Sequence, residues 1–283
     1  MKKIIFTGGL GNQMFQYAFM LSLKAKGIKV SSDTCTYENI VTHNGFELDK
    51  IFNTSEKFKK NNWLRRLFAR IIRRREFSSF WYQEQKPMVY DKGVYHTTKL
   101  FFNGNWASEQ YFKDIKDKVV SEFKFKDIDE DNKNIAKRMH TEESVSLHIR
   151  RGDYLKFKNF QVCGLDYYTK AIKHICNNIK TPVFYVFSND PEWCQTFMGQ
   201  FGVNFHIIHI NSGARSYLDM YLMSQCKHNI IVNSTFSWWG AYLNLNPNKI
   251  VVSPKQWLRH INCNANIDTM TIIESEMPEI EQG

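Results

Sequence analysis

Short apolar runs alternate with helical patterns along this 283-residue chain, and that alternation limits its fold more than any other feature. Lys3–Thr7 (KIIFT) reads as a buried strand and Gly8-Gly9-Leu10-Gly11 as a tight loop. A helix is expected over 12–26, with Met14, Ala18, Leu21 and Ala25 on one face. Gly27 is placed to end it, and Ile28–Val30 reads as the next strand. The second half repeats the pattern, with strands at Val145–Ile149, Val183–Phe187, Phe205–Ile210, Ile230–Asn233 and Ile250–Ser253. Helices at Tyr167–Ile179, after Pro191, at Tyr217–Cys226 and at Trp238–Leu243 separate them. Strands this short and continuously apolar are buried on both faces, so they belong in parallel sheets covered by helices. The expected fold is α/β: two facing Rossmann-like domains with parallel sheets, 1–130 and 131–283, joined within the polar stretch Lys124–Glu143. Residues 35–60 and 76–125 carry no clear pattern.

A hydrophobic content of 43% is enough for a packed core and excludes a disordered chain. No run approaches the roughly 20 apolar residues of a membrane span, and the apolar run after Lys2 and Lys3 breaks at Gly8 and Gly9, which argues against a signal peptide. Cys35, Cys163, Cys176, Cys194, Cys226 and Cys263 form no CxxC pair, so reduced thiols in a cytoplasmic protein are expected. The net charge of +10 is local: nine basic residues and no acid lie between Lys57 and Arg75, and without them the balance is near +1. That distribution argues against nucleic acid as a partner of the whole protein. Within the segment, Trp63–Arg75 interleaves basic pairs with Leu64, Leu67, Phe68, Ile71 and Ile72. As a helix it would suit an anionic membrane surface, or equally pack on the core as an ordinary surface helix.

The sharpest chemical signal is His148-Ile149-Arg150-Arg151-Gly152-Asp153-Tyr154 at the carboxyl end of a strand, where ligands bind in open α/β sheets. Adjacent arginines there offer planar forks to phosphate oxygens, with Gly152 allowing a sharp turn; the alternative is a surface salt-bridge cluster. Gly8-Gly9-Leu10-Gly11-Asn12-Gln13 is an anion-binding nest at a helix start or a plain tight turn, since it lacks a third dinucleotide glycine and a P-loop lysine. Ser234, Thr235 and Ser237 open another helix, where hydroxyls either cap or bind phosphate. Of the adjacent Trp238 and Trp239, one is expected in the core and the other lining a cleft. Ser188-Asn189-Asp190 ends a strand before Pro191 and either contacts nucleotide or caps. Asp219, among apolar neighbours, wants a donor: a nearby side chain or the N–H edge of a guanine. Asp127-Ile128-Asp129-Glu130-Asp131 has the DxD spacing of metal-dependent sugar transferases, but it stands in a charged stretch before a helix and reads as a solvated first turn. The histidines lack metal spacing, so no metal site and no cofactor are expected.

Three segments, GGLGNQMFQYAF (8–19), HIRRGDY (148–154) and VNSTFSWWGAYL (232–243), resemble the signatures of the bacterial α-1,2-fucosyltransferases of glycosyltransferase family 11, in that family's order. His43-Asn44-Gly45-Phe46 and Tyr111-Phe112 add weaker matches. The resemblance implies a GT-B fold and inverting, metal-independent transfer from GDP-L-fucose, usually to O2 of a terminal galactose. By it, His148 and Asp219 would contact guanosine and Arg150, helped by Arg151, the β-phosphate. Ser237, Thr235, Ser234 and the Gly9–Asn12 loop, Gly11 included, would complete the phosphate site, with Asn12 near the anomeric centre. Asp153, the nearest acid, is the candidate base; the alternatives are that it only orients Arg150 or Arg151, or that a highly dissociative reaction needs no strong base. Domain 1–130 would then face the acceptor and 131–283 hold the donor. Asn105 and Ala107 stand where the family more often has an aromatic residue and Gln, which bears on the acceptor. A galactose-containing or lipid-linked glycan acceptor and a peripheral position at the inner face of the cell membrane follow as expectations. The alternatives from other classes are a non-catalytic nucleotide- or glycan-binding protein and a membrane-surface adaptor using 57–75.

Overall fold

In the computed structural model the polypeptide is described at residues 1–38, 43–58, 79–263 and 265–280, apart from the side chains of Glu38, Asp153 and Leu155. It divides into two compact units, Met1–Lys126 and Asp127–Gly283. Each is built on a wholly parallel sheet, the α/β architecture that the alternation requires.

The N-terminal sheet has the order β2-β1-β4-β3, from β1 (Lys2–Ile5), β2 (Val30–Asp33), β3 (Trp81–Gln83) and β4 (Phe101–Asn103). Helix α1 (Leu10–Ala25) is buried almost all round, which is why its hydrophobic pattern is broader than a single stripe; only its end, with Ala25, reaches solvent. Gly27, at φ +77°, stops the helix, and the chain needs Ile28 and Lys29 to reach the sheet, so β2 begins later than its apolar pattern suggests. Short helices α2 (Leu48–Ile51) and α3 (Lys116–Glu122) and several 3-10 turns also lie in the described part of this unit.

The C-terminal sheet has the order β10-β9-β8-β5-β6-β7. Its strands are β5 (Ser144–Ile149), β6 (Val183–Ser188), β7 (Asn204–Ile208), β8 (His228–Ile230), β9 (Val251–Pro254) and β10 (Thr271–Ile273). Between them run α4 (Glu130–Thr141), α5 (Leu165–Asn178), α6 (Pro191–Met198), α7 (Tyr217–Gln225) and α8 (Thr235–Leu243). Counted from β5, the order is 3-2-1-4-5-6, so strand progression reverses between β5 and β8 and opens a crevice beyond their carboxyl ends. Val145, Leu147 and Ile149 pack with Tyr167, Tyr168, Ala171, Ile172 and Ile175 of α5 on one face. Tyr185 and Phe187 pack with Leu222 and Met223 of α7 on the other. A Cβ at Gly240 would lie 2.7 Å from Met223 Cβ, so that glycine sets how closely α8 approaches α7. Trp238 and Trp239 are both fully buried, against the expectation that one lines a cleft: they meet edge to face at 5.0 Å, and Trp238 Nε1 donates to Ala265 O at 2.6 Å.

Candidate active site

The crevice beside β5 collects the first group. His148 and Phe187 are paired in register, which puts His148 on the α7 face of the sheet; it is buried, with its ring 6.1 Å from that of Phe236. Arg150 lies just past the strand with its guanidinium 5.2 Å from the Tyr154 ring centre. The neighbouring Arg151 turns elsewhere: Nε donates to Asp190 Oδ2 at 3.3 Å, and the guanidinium stacks 4.4 Å above Trp193. Of the two expected phosphate forks, Arg151 is thus held in an ion pair and an aromatic stack at the start of α6. Gly152 does not adopt a positive φ; a Cβ there would press on the Asn189 side-chain amide, whose oxygen accepts from Arg151 N–H, so that amide would have to swing aside. Asp153 lies in the 3-10 turn Gly152–Lys156, and its side chain is outside the described residues.

After β6, the Ser188-Asn189-Asp190 run builds the loop. Ser188 Oγ accepts from Asp190 N–H (3.0 Å), Asn189 Oδ1 from Arg151 N–H (3.2 Å), and Asp190 Oδ1 caps α6 through Trp193 N–H (3.2 Å). After β8, Asn233 ties several loops together, a role the sequence reading missed. Its Nδ2 donates to Phe160 O and Trp257 O at 2.9 and 3.0 Å, and its carbonyl accepts from Tyr154 O–H at 3.1 Å. The ring beneath Arg150 is therefore anchored to the turn before α8. Ser234 stands at the N-cap of α8 without a side-chain capping bond. Ser237 faces inward, donating to Ser234 O and accepting from Val232 N–H, while Thr235 opens the helix half-buried. Asp219, in the first turn of α7, accepts from Asn211 Nδ2 at 2.9 Å, and burial pushes its carboxyl up to about 7.

In the N-terminal unit the strand order β2-β1-β4 likewise reverses beside β1, and the glycine loop follows that strand. Gly8 has φ +77°, and a Cβ on it would lie 2.5 Å from Asn12 Nδ2; a Cβ on Gly9 would press on the His43 ring at 3.3 Å. Gly9, which has no side chain to cap with, stands at the N-cap of α1 in extended backbone. Two buried glutamines hold the loop. Gln13 donates to Gly8 O and Gly45 O and accepts from Glu47 N–H, and Gln16 exchanges bonds with Thr7 and donates to Gly104 O. Glu84, just past β3, accepts from Asn105 N–H (2.9 Å) and Trp106 N–H (3.2 Å) of the loop after β4, and burial raises its carboxyl. Ala107 is fully buried behind this loop while Asn105 is half-exposed, so only Asn105 of the two divergent positions reaches the surface.

The basic stretch from Lys59 onward lies outside the described residues. Among the described residues, no helix is long and apolar enough to cross a membrane, and no three His, Cys, Asp or Glu side chains gather as a metal cluster.

The model of glycosyl transferase family 11 matches residues 1–261. An Escherichia coli α-1,2-colitosyltransferase is 34% identical over 92% of this chain and 93% of its own length. The Escherichia coli O-antigen biosynthesis glycosyltransferase WbnK is 35% identical over 89% and 93%. A mutant of Arabidopsis thaliana FUT1 solved in complex with GDP aligns with TM-score 0.52 at 11% identity, covering 88% of this chain and 69% of that one. That likeness accords with a GT-B-like fold. Since the family match runs through both units and past the crevice residues, the chain belongs to glycosyl transferase family 11 and is a glycosyltransferase.

Proposed function

We propose that the protein transfers L-fucose from GDP-β-L-fucose to O2 of a terminal galactose in a cell-surface glycan or its precursor, inverting the anomeric carbon and using no metal ion. The observation that carries this reading is Arg150 at the strand-order reversal of the C-terminal sheet, over a tyrosine anchored by Asn233. Glycosyl departure builds negative charge on the diphosphate, and a preorganised guanidinium meets it with paired donors. Asp219 and His148 share one face of the sheet and serve the guanosine. The start of α8 (Ser234, Thr235, Ser237) brings amides and hydroxyls to phosphate oxygens, and the glycine loop at the start of α1 (Gly9, Gly11, Asn12) is a second anion-binding turn. Arg151, with Ser188, Asn189 and Asp190, frames that edge. Asp153 takes the acceptor proton, and Asn12 acts near the anomeric centre. The charge of 57–75 holds the enzyme at the inner membrane face, and cosedimentation with anionic vesicles tests that role.

The relative named as an α-1,2-colitosyltransferase favours a second donor reading, because colitose is L-fucose without its 3-hydroxyl. The test starts with thermal unfolding in EDTA with GDP, GDP-fucose, GDP-colitose, GDP-mannose and UDP. A ligand at 100 times its Kd adds about 2.7 kcal/mol to native stability. Stabilisation by GDP and GDP-fucose but not UDP, followed by transfer to lactose in EDTA, is expected. Transfer from GDP-colitose alone moves the donor to the deoxy sugar, and stabilisation by no guanosine nucleotide overturns the reading.

A further inference from the structure

A continuous run of side chains ties the Asp127-Ile128-Asp129 stretch to Asp219. Asp129 caps α4 through Asn132 N–H at 3.0 Å, and its carboxylate also accepts from Asn132 Nδ2 at 3.0 and 3.2 Å. Asn132 is fully buried and Asn211 8% exposed, and the two exchange amide bonds. Asn132 Nδ2 donates to Asn211 Oδ1 at 3.1 Å, and Asn211 Nδ2 to Asn132 Oδ1 at 2.9 Å. The other N–H of Asn211 goes to Asp219 Oδ1 at 2.9 Å. An amide has two N–H bonds, and here each amide uses both. Turning either one over would set its carbonyl against a carboxylate, Asp129 at one end and Asp219 at the other, so charge fixes the orientation of the pair. Among the described residues Asp219 Oδ2 accepts no hydrogen bond, and Asp219 itself is only partly buried.

We propose that Asn211, oriented by Asn132, is a positioning residue for base selectivity: it holds one oxygen of Asp219 and leaves the other for the N–H edge of a guanine. The inference rests on the guanosine-diphosphate reading above. A carboxylate already held in place loses less side-chain freedom when a ligand binds. Guanine offers the carboxylate both N1–H and an amino group; hypoxanthine keeps N1–H but lacks the amino group, and adenine presents an acceptor at N1. The relay thus turns the Asp129 cap into part of donor selection.

The test is calorimetric binding of GDP, IDP and ADP to the full chain, as wild type, Asn211→Ala and Asn211→Asp, each checked for native unfolding temperature. Asn211→Asp keeps the size and replaces the donor to Asp219 with an acceptor. The wild type is expected to prefer GDP over IDP by about tenfold, the worth of one hydrogen bond to a charged group. In both variants GDP binding should weaken by about tenfold and IDP binding less, so that the preference contracts. If the folded variants keep the GDP-to-IDP ratio, or lose all three nucleotides in parallel, the positioning role is wrong. Should Asn211→Ala not fold, Asn211→Asp and Asn211→Ser decide. A wild type that binds GDP no better than ADP removes the guanosine reading itself, a failure distinguishable from that of Asn211 alone.

Discussion

Helices α6 and α8 both begin at the carboxyl edge of one sheet, directly after a strand, and their first turns are finished in opposite ways. At α6, Asp190 caps Trp193 N–H with one oxygen and holds Arg151 with the other. At α8, Ser234 makes no side-chain capping bond and Ser237 turns inward. The first-turn amides of a helix are unsatisfied donors at its positive end. An aspartate that neutralises them makes a structural corner, whereas an uncapped start keeps its affinity for an anion. The two adjacent arginines divide accordingly: Arg151 belongs to the capped corner, and Arg150, over Tyr154, belongs to the proposed donor site.

The strongest way to break this contrast is at Arg150. Arg150→Ala should lower turnover by roughly 10²–10³ while leaving the unfolding temperature near wild type, and Arg150→Lys should recover little. Initial-rate assays check both, and near-normal turnover in the lysine variant would remove the bidentate role. Gly152→Ala displaces the Asn189 amide from Arg151 N–H, so a loss of about 1 kcal/mol in chemical denaturation is expected.

A pH series sharpens the role of Asp219. With its carboxyl pushed up to about 7 and guanine needing the ionised form, GDP affinity should drop about tenfold from pH 8 to pH 6. Asp219→Asn should bind weakly at every pH. The sign for folding is the reverse. The native carboxyl holds its proton more tightly than the unfolded one, so its contribution to stability is largest in acid and is lost as pH rises through about 7. Capping supplies the smallest and most direct comparison. Asp190→Ala should destabilise by about 1 kcal/mol, and Ser234→Ala by less than about 0.5, because only the first removes a capping bond. Equal losses in denaturant melts would erase the distinction between the two corners.

Much of the parallel architecture was legible because buried strands write continuous apolar runs and helices write wider periods. Strands β3, β4 and β10 escaped, each three residues long and too short to carry a period. Strand β8 lies earlier than its apolar run suggested: Ile231 and Val232 are buried, but Ser234 N–H turns back to Val232 O. In the site, the motif residues were legible by type at strand ends, whereas the support around them was not. Gln13, Gln16 and Asn233 look like ordinary polar residues until the loops they bind are folded against them. Their Gly45, Gly104 and Trp257 carbonyl partners lie 32, 88 and 24 positions away.

The sequence by itself determined the alternating α/β plan, the placing of HIRRGDY and NSTFSWWG at strand ends, and the confinement of excess charge to 57–75, because periodicity, glycine and charge are local properties. Tertiary structure alone decided which arginine is tied to Asp190, which side chain a Cβ on Gly152 would displace, and which donor orients Asp219. Those answers depend on distances between residues far apart in the chain, and such distances exist only once the sheet has set its strand order.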